Sequence, residues 1–170
     1  LIFYGYNYIE GDIMKTIYDW LDAYGESHQN LTNKKIHWIC VPLIMLSLLG
    51  ILSLVKLFPS PIGSFCISIA HILIFLAILF YVRLSVSITI GMIIISILNL
   101  YIIHQFEVFS SNSKETFLTY LIIFVVAWIG QFLGHKIEGK KPSFFDDLKF
   151  LLIGPAWLLS FIYKKIGIKY

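Results

Sequence analysis

Apolar residues gather along the chain in long runs, divided by short polar stretches. Four runs approach or exceed the roughly 20 residues of helix that a bilayer core requires. They cover residues 36–57, 62–82, 84–103 and 117–134. A fifth apolar stretch, 148–163, is shorter and carries Gly154-Pro155 at its centre, a pair that should break a helix there. It reads as a re-entrant segment or a fifth hydrophobic helix. Pro42 marks a place for a kink early in the first run. Pro59 to Gly63 reads as a tight turn, and His104 to Thr116 as a polar loop. The predicted fold is all-α: an integral membrane bundle of four spans.

Ahead of the first run the pattern becomes amphipathic. Ile13, Ile17, Trp20 or Leu21, and Tyr24 recur at helical spacing, which predicts a helix over 12–25 with Asp12 as its cap. Such a helix either lies in the membrane interface or packs as an ordinary surface helix, and the sequence leaves both open. Met14 would make a natural start. Residues 1–13 are therefore set aside as a non-native or upstream segment, and 14–170 are read as a single membrane domain.

Composition sharpens this picture. Of 170 residues, 58% are hydrophobic and 14% charged. Soluble domains run at about 45–50% apolar and about 25% charged, so a soluble class is excluded. The net charge of +3 is carried by cations close to the ends of apolar runs, which suits orientation in a membrane and not nucleic-acid binding. In a four-span reading, Lys34, Lys35, Arg83, Lys136, Lys140, Lys141 and Lys149 share one side, expected to be cytoplasmic. Cys40 and Cys66 both lie in apolar runs and suggest buried thiols without a disulfide framework. Walker, nucleophile-elbow and His-Glu-x-x-His motifs are absent.

The chemistry concentrates on that basic side. His28 and His37 precede the first run or open it, and His135 ends the fourth. Gln131 stands one helical turn before His135, Glu138 three residues after it, and Asn33 one turn before His37. Imidazole binds iron, zinc, copper or nickel, and neighbouring carboxylates and amides can fix its tautomer. Any one of these histidines could simply be hydrogen-bonded in the interface; three at one depth favour a metal site. His71 reads as a structural residue in the middle of the second run. His104 falls at the opposite end, and joins the cluster only if the topology shifts by one span. Spacing alone does not name the metal.

Two segments resemble the signature regions of a family of small multi-span membrane proteins, the fungal-type 2-hydroxy fatty acid dioxygenases of alpha-oxidation. One holds His28, Asn30, Asn33 and His37; the other holds Gln131, Phe132, Gly134, His135, Glu138, Pro142, Asp146 and Leu148. There are departures: Leu31 stands where the family usually has proline, Asp147 where it has asparagine, and Glu138 follows His135 by three residues where four are usual. The resemblance implies an Fe(II) cofactor and oxidation of a long-chain 2-hydroxy fatty acid by dioxygen, shortening it by one carbon. It implies His28, His37 and His135 as metal ligands, Gln131 and Glu138 in catalysis, and an endoplasmic reticulum or bacterial inner membrane location. Asn33, Lys34 and Lys140 are expected to meet the substrate carboxylate. A lipid-binding scaffold and a zinc-dependent membrane hydrolase are the alternatives left open.

Overall fold

The computed structural model describes residues 15–59, 66–110, 112–143 and 148–170. The expected turn beyond Pro59, Asp12 as a cap, and Asp146 of the signature region lie outside the described residues. Among the described residues there are six helices: α1 (Ile17–Glu26), α2 (Leu31–Ser53), α3 (Ile69–Val82), α4 (Val86–Phe109), α5 (Ser113–Glu138) and α6 (Phe150–Ile166). Two short strands, β1 (Lys56–Pro59) and β2 (Cys66–Ser68), lie between α2 and α3. The all-α class holds. Three helices, α2, α4 and α5, are long and apolar enough to cross a membrane.

Polar caps set most helix starts, and at α2 and α5 they fall earlier than the apolar runs do. Thr16 and Asp19 form a reciprocal capping box that starts α1, the role expected of Asp12. The Asn30 side chain accepts from the Thr32 and Asn33 amides, so α2 begins five residues before its apolar run. Asn112 accepts from the Lys114 amide and starts α5 within the expected loop. That loop shrinks accordingly. His104 and Glu107 belong to α4, and only 110–112 connect α4 to α5.

Among the described residues of the second apolar run, the helix starts at Ile69, and Cys66–Ser68 ahead of it form a strand. Pro59 cannot supply an amide to a helix. The flanking backbone pairs instead as an antiparallel ladder, Lys56 opposite Ser68 and Pro59 opposite Cys66. Backbone groups at membrane depth need such partners. Cys66 is half-buried on β2, while Cys40 is buried inside α2. At this end Glu107 accepts from Ser53 Oγ at 2.7 Å and pairs with Lys56 at 3.2 Å.

α6 also departs from expectation. It runs unbroken through Gly154-Pro155. Pro155 sits in the second turn, so its ring removes a single bond to the Leu151 carbonyl, and the packed surroundings hold the helix together. Its contacts fix its place. Leu152 O accepts from Tyr81, Tyr163 donates to Ser87 O, and Tyr170 stacks on Tyr18. All three partners belong to the histidine end of the bundle. α6 therefore lies across that end beside α1, and the tail stays there. The amphipathic face of α1, Ile17, Trp20, Leu21 and Tyr24, is buried in this layer, so α1 is a packing helix.

α2 and α5 form the most extensive helix pair. A Cβ added at Gly130 would come within 2.6 Å of Cys40 Sγ, and one at Gly134 would run into Asn33 Oδ1. Small residues one turn apart let two membrane helices approach this closely. Gly134→Ala should therefore lower stability by about 1–3 kcal/mol, the usual scale for overpacking. Thermal unfolding in detergent checks this; an unchanged midpoint would mean that the crossing is looser than described.

Candidate metal centre

His28, His37 and His135 are all buried and meet at the α2–α5 crossing, each offering a ring nitrogen within 4.8 Å of the others. Three different pieces of chain supply them. His37 projects from the second turn of α2, His135 from the last turn of α5, and His28 from the turn that joins α1 to α2.

Hydrogen bonds fix two of the tautomers. His28 Nδ1 lies 2.5 Å from Tyr24 O, and His37 Nδ1 lies 3.0 Å from Asn33 O. A carbonyl can only accept, so each Nδ1 carries its proton and each Nε2 presents a lone pair. Those two Nε2 atoms face one another at 2.8 Å. Lone pairs do not rest at that distance without a proton or a cation between them. Burial, with His37 beside it, pushes His28 down to about 3, so a proton there is disfavoured at neutral pH. His135 adds a third nitrogen: its buried Nδ1 has no hydrogen-bond partner among the described residues. A donor set of three unprotonated imidazole nitrogens fits a transition-metal cation.

The surroundings hold these rings in place. Tyr24 stacks on His28 with centroids 4.1 Å apart, and Trp157 of α6 stands 5.2 Å from the same ring. Burial raises the Tyr24 hydroxyl well above its ordinary range, so it stays neutral beside the cluster. Ser27 Oγ lies 3.1 Å from His28 Nδ1 and 2.5 Å from Ser143 Oγ, linking the turn to the segment after α5.

Glu138 acts as a clamp. Its carboxylate accepts from the Gln29 amide at 2.8 Å, the Asn30 amide at 2.9 Å and Asn33 Nδ2 at 3.0 Å. It thus binds the end of α5 to the turn that carries His28. Gly139, at φ 74°, reverses the chain directly after it. Lys140 then returns to donate to Glu26 O at 2.8 Å, at the C-terminal end of α1.

The remaining expected residues separate. Gln131 is buried in the wall of a cavity of about 560 Å³ that it shares with His135 and Ser143. Asn33 is fully buried, with its amide nitrogen taken by Ser27 O and Glu138. Lys34 is half-buried in the first turn of α2, and Lys140 is exposed. His104 is exposed on α4 and stands apart from the cluster. His71 sits in the first turn of α3, where Nδ1 accepts from the Ser68 amide. It is not in the middle of a span. Sequence reasoning missed Tyr24, Ser27, Ser143 and Trp157 as supports. Asn30 was readable as a cap from its type and place; nothing local marked Trp157.

Fold and site together define a helical protein of membrane-length spans with a buried three-histidine centre at one end. The family model described as 2-hydroxy-palmitic acid dioxygenase Mpo1-like matches residues 14–166, and the chain belongs to this family. It is 31% identical over 152 residues to the 2-hydroxy-palmitic acid dioxygenase MPO1 of Saccharomyces cerevisiae. That match covers 86% of this chain and 79% of the yeast protein. No solved structure matches the chain.

His28→Ala, His37→Ala and His135→Ala should each abolish stoichiometric metal binding in folded protein, and His71→Ala should not. Elemental analysis of the purified variants reads this directly. Glu138→Ala removes no ligand and should weaken metal affinity by about 10–100-fold, the range for groups that orient ligands. Full affinity in Glu138→Ala would show that the His28 turn holds itself.

Proposed function

We propose that the chain is an Fe(II)-dependent dioxygenase that shortens long-chain 2-hydroxy fatty acids by one carbon. The observation that carries this reading is the position of the cluster: three buried histidines meet, and one of them, His135, lines an apolar cavity. Family membership supports the substrate class, since the yeast relative is named for 2-hydroxy-palmitic acid. His28, His37 and His135 would hold the iron. Bound there, iron supplies the one-electron chemistry that lets dioxygen react with a closed-shell substrate.

The chain's own residues bind and orient. The Gln131 amide, one turn from His135, can donate to the substrate carboxylate or 2-hydroxyl. Ser143, across the same cavity, offers a hydroxyl. Lys34, in the first turn of α2, and Lys141, just after α5, place positive charge at the histidine end and draw an anionic head toward it. Lys140 is occupied at Glu26 O, and Asn33 is enclosed, so both act by holding the site together. The α1–α6 layer over His28 limits water. The overall reaction balances without an external reductant. The C1–C2 bond breaks, C2 becomes the new carboxyl carbon, C1 leaves as carbon dioxide, and the four electrons released reduce dioxygen.

The lysine distribution supports a cytoplasmic position for the histidine end, in the endoplasmic reticulum of a eukaryote or the inner membrane of a bacterium. In this topology α3 with β2 makes the fourth crossing. A cysteine placed at Lys140 should be labelled from the cytoplasm only, and one at Lys114 from the opposite side only. Labelling of both from one side would remove α5 as a span.

Purified protein with iron(II) and air should convert a long 2-hydroxy fatty acid to the acid one carbon shorter. A chelator should stop the reaction. Zinc should not restore it, because zinc has no redox chemistry. The acid without the 2-hydroxyl should react poorly. Gln131→Leu should slow turnover while metal content stays full. Equal turnover with zinc, or without oxygen, would exclude the dioxygenase.

A further inference from the structure

The cavity beside His135 is deep as well as wide. Its lining passes from His135, Gln131 and Ser143 at the histidine end to Leu49 of α2, Leu73 of α3, Ser96 of α4 and Phe124 of α5. Phe124 lies about three turns along α5 from His135, or about 16 Å at the helical rise. Leu49 lies a similar distance along α2 from His37. Half of a hydrocarbon core is about 15 Å, so the cavity reaches through roughly one leaflet. Its volume of about 560 Å³ falls within the range of small-molecule sites, about 300–1,000 Å³.

The two ends of the cavity differ chemically. At the head, Gln131, which is 6% exposed, and Ser143 line the cavity beside His135. A few polar groups in an otherwise apolar wall orient a ligand that meets them with polar atoms of its own. Below it the walls are almost wholly apolar: Val41, Ile44, Met45, Leu48 and Ala77 offer no hydrogen-bonding side chain. A ligand with one polar head and one extended apolar chain satisfies both. At the far end, Ser96 is the one small polar side chain, and its size leaves the room that a larger residue would fill.

We propose that this cavity is an acyl-chain binding site, and that Leu49, Leu73, Ser96 and Phe124 form a floor that sets the longest chain accepted. The identity of the head group rests on the dioxygenase reading; the length limit does not require turnover. A chain that fills the cavity keeps its carboxyl carbons beside His135. One that is too long either meets the floor or leaves its head short of the histidines.

Binding can be measured apart from reaction. Unsubstituted saturated fatty acids of increasing length are competed against a fluorescent fatty acid on the metal-loaded protein, its Ser96→Phe variant and its Phe124→Ala variant. Ser96→Phe raises the floor. The longest acids that bind the parent should bind it at least about tenfold more weakly, the loss expected when two methylenes leave the cavity, while short acids are unaffected. Phe124→Ala lowers the floor and should extend the range to longer acids. Shifts in opposite directions cannot come from a general loss of structure, and metal content confirms each fold. An unmoved length preference in both metal-loaded variants overturns the proposal. Oxidation of 2-hydroxy acids is then measured with the same three proteins. If the variants shift binding but no protein oxidises its acid, the floor stands and the dioxygenase reading falls. If oxidation proceeds with one length preference in all three, the reaction stands and the floor falls.

Discussion

The close approach of α2 and α5 is the contact on which the site depends. Gly130 and Gly134 leave no side chain between the helices, and Cys40 and Asn33 fill the space. This brings His37 and His135 together from helices that carry them nearly a hundred residues apart. It also brings the end of α5 within reach of the α1–α2 turn, where the Glu138 carboxylate takes two backbone amides. His28 follows from that clamp. The third nitrogen is thus positioned by the same crossing that positions the first two.

The second requirement is electrostatic. His28 lies dry beside His37, and burial together with that neighbour disfavours its charged form. The protons of both rings are then directed by backbone carbonyls, Tyr24 O for His28 and Asn33 O for His37. The helices serve as rigid supports and also as hydrogen-bond acceptors that select the tautomer. The aromatic layer of α1 and α6 keeps the arrangement dry. An amphipathic helix that could have rested on lipid is used instead to place Tyr24 against His28.

Much of this was legible in the sequence, for identifiable reasons. Apolar runs longer than a soluble helix announce membrane-length elements, and α2, α4 and α5 appear where those runs lie. Cation placement puts His28, His37 and His135 at one end, and the fold brings them together there. Boundaries were less legible. Hydropathy reports where a helix is greasy, whereas Asn30, Asn112 and Thr16 report where it begins, and the two signals differ by several residues. Pro155 was misleading, because one missing amide in an early turn costs less than tight packing returns. The start of α3 was invisible to hydropathy, since a short strand beside proline is as apolar as a helix. The clamping role of Glu138 could not be read at all: its partners, two backbone amides and the Asn33 side chain, lie more than a hundred residues away.

The order in which the ligands leave the ribosome has a consequence of its own. His28 and His37 are synthesised early and enter the membrane region together, already oriented by local carbonyls. His135 and Glu138 come only with the end of α5, and Trp157 later still. An unfinished chain therefore holds two opposed imidazoles and no clamp. The three-histidine cluster is completed only after most of the chain has been made, so the metal proposed for it would be acquired late in biogenesis, and truncation before α5 removes His135 and the Glu138 clamp.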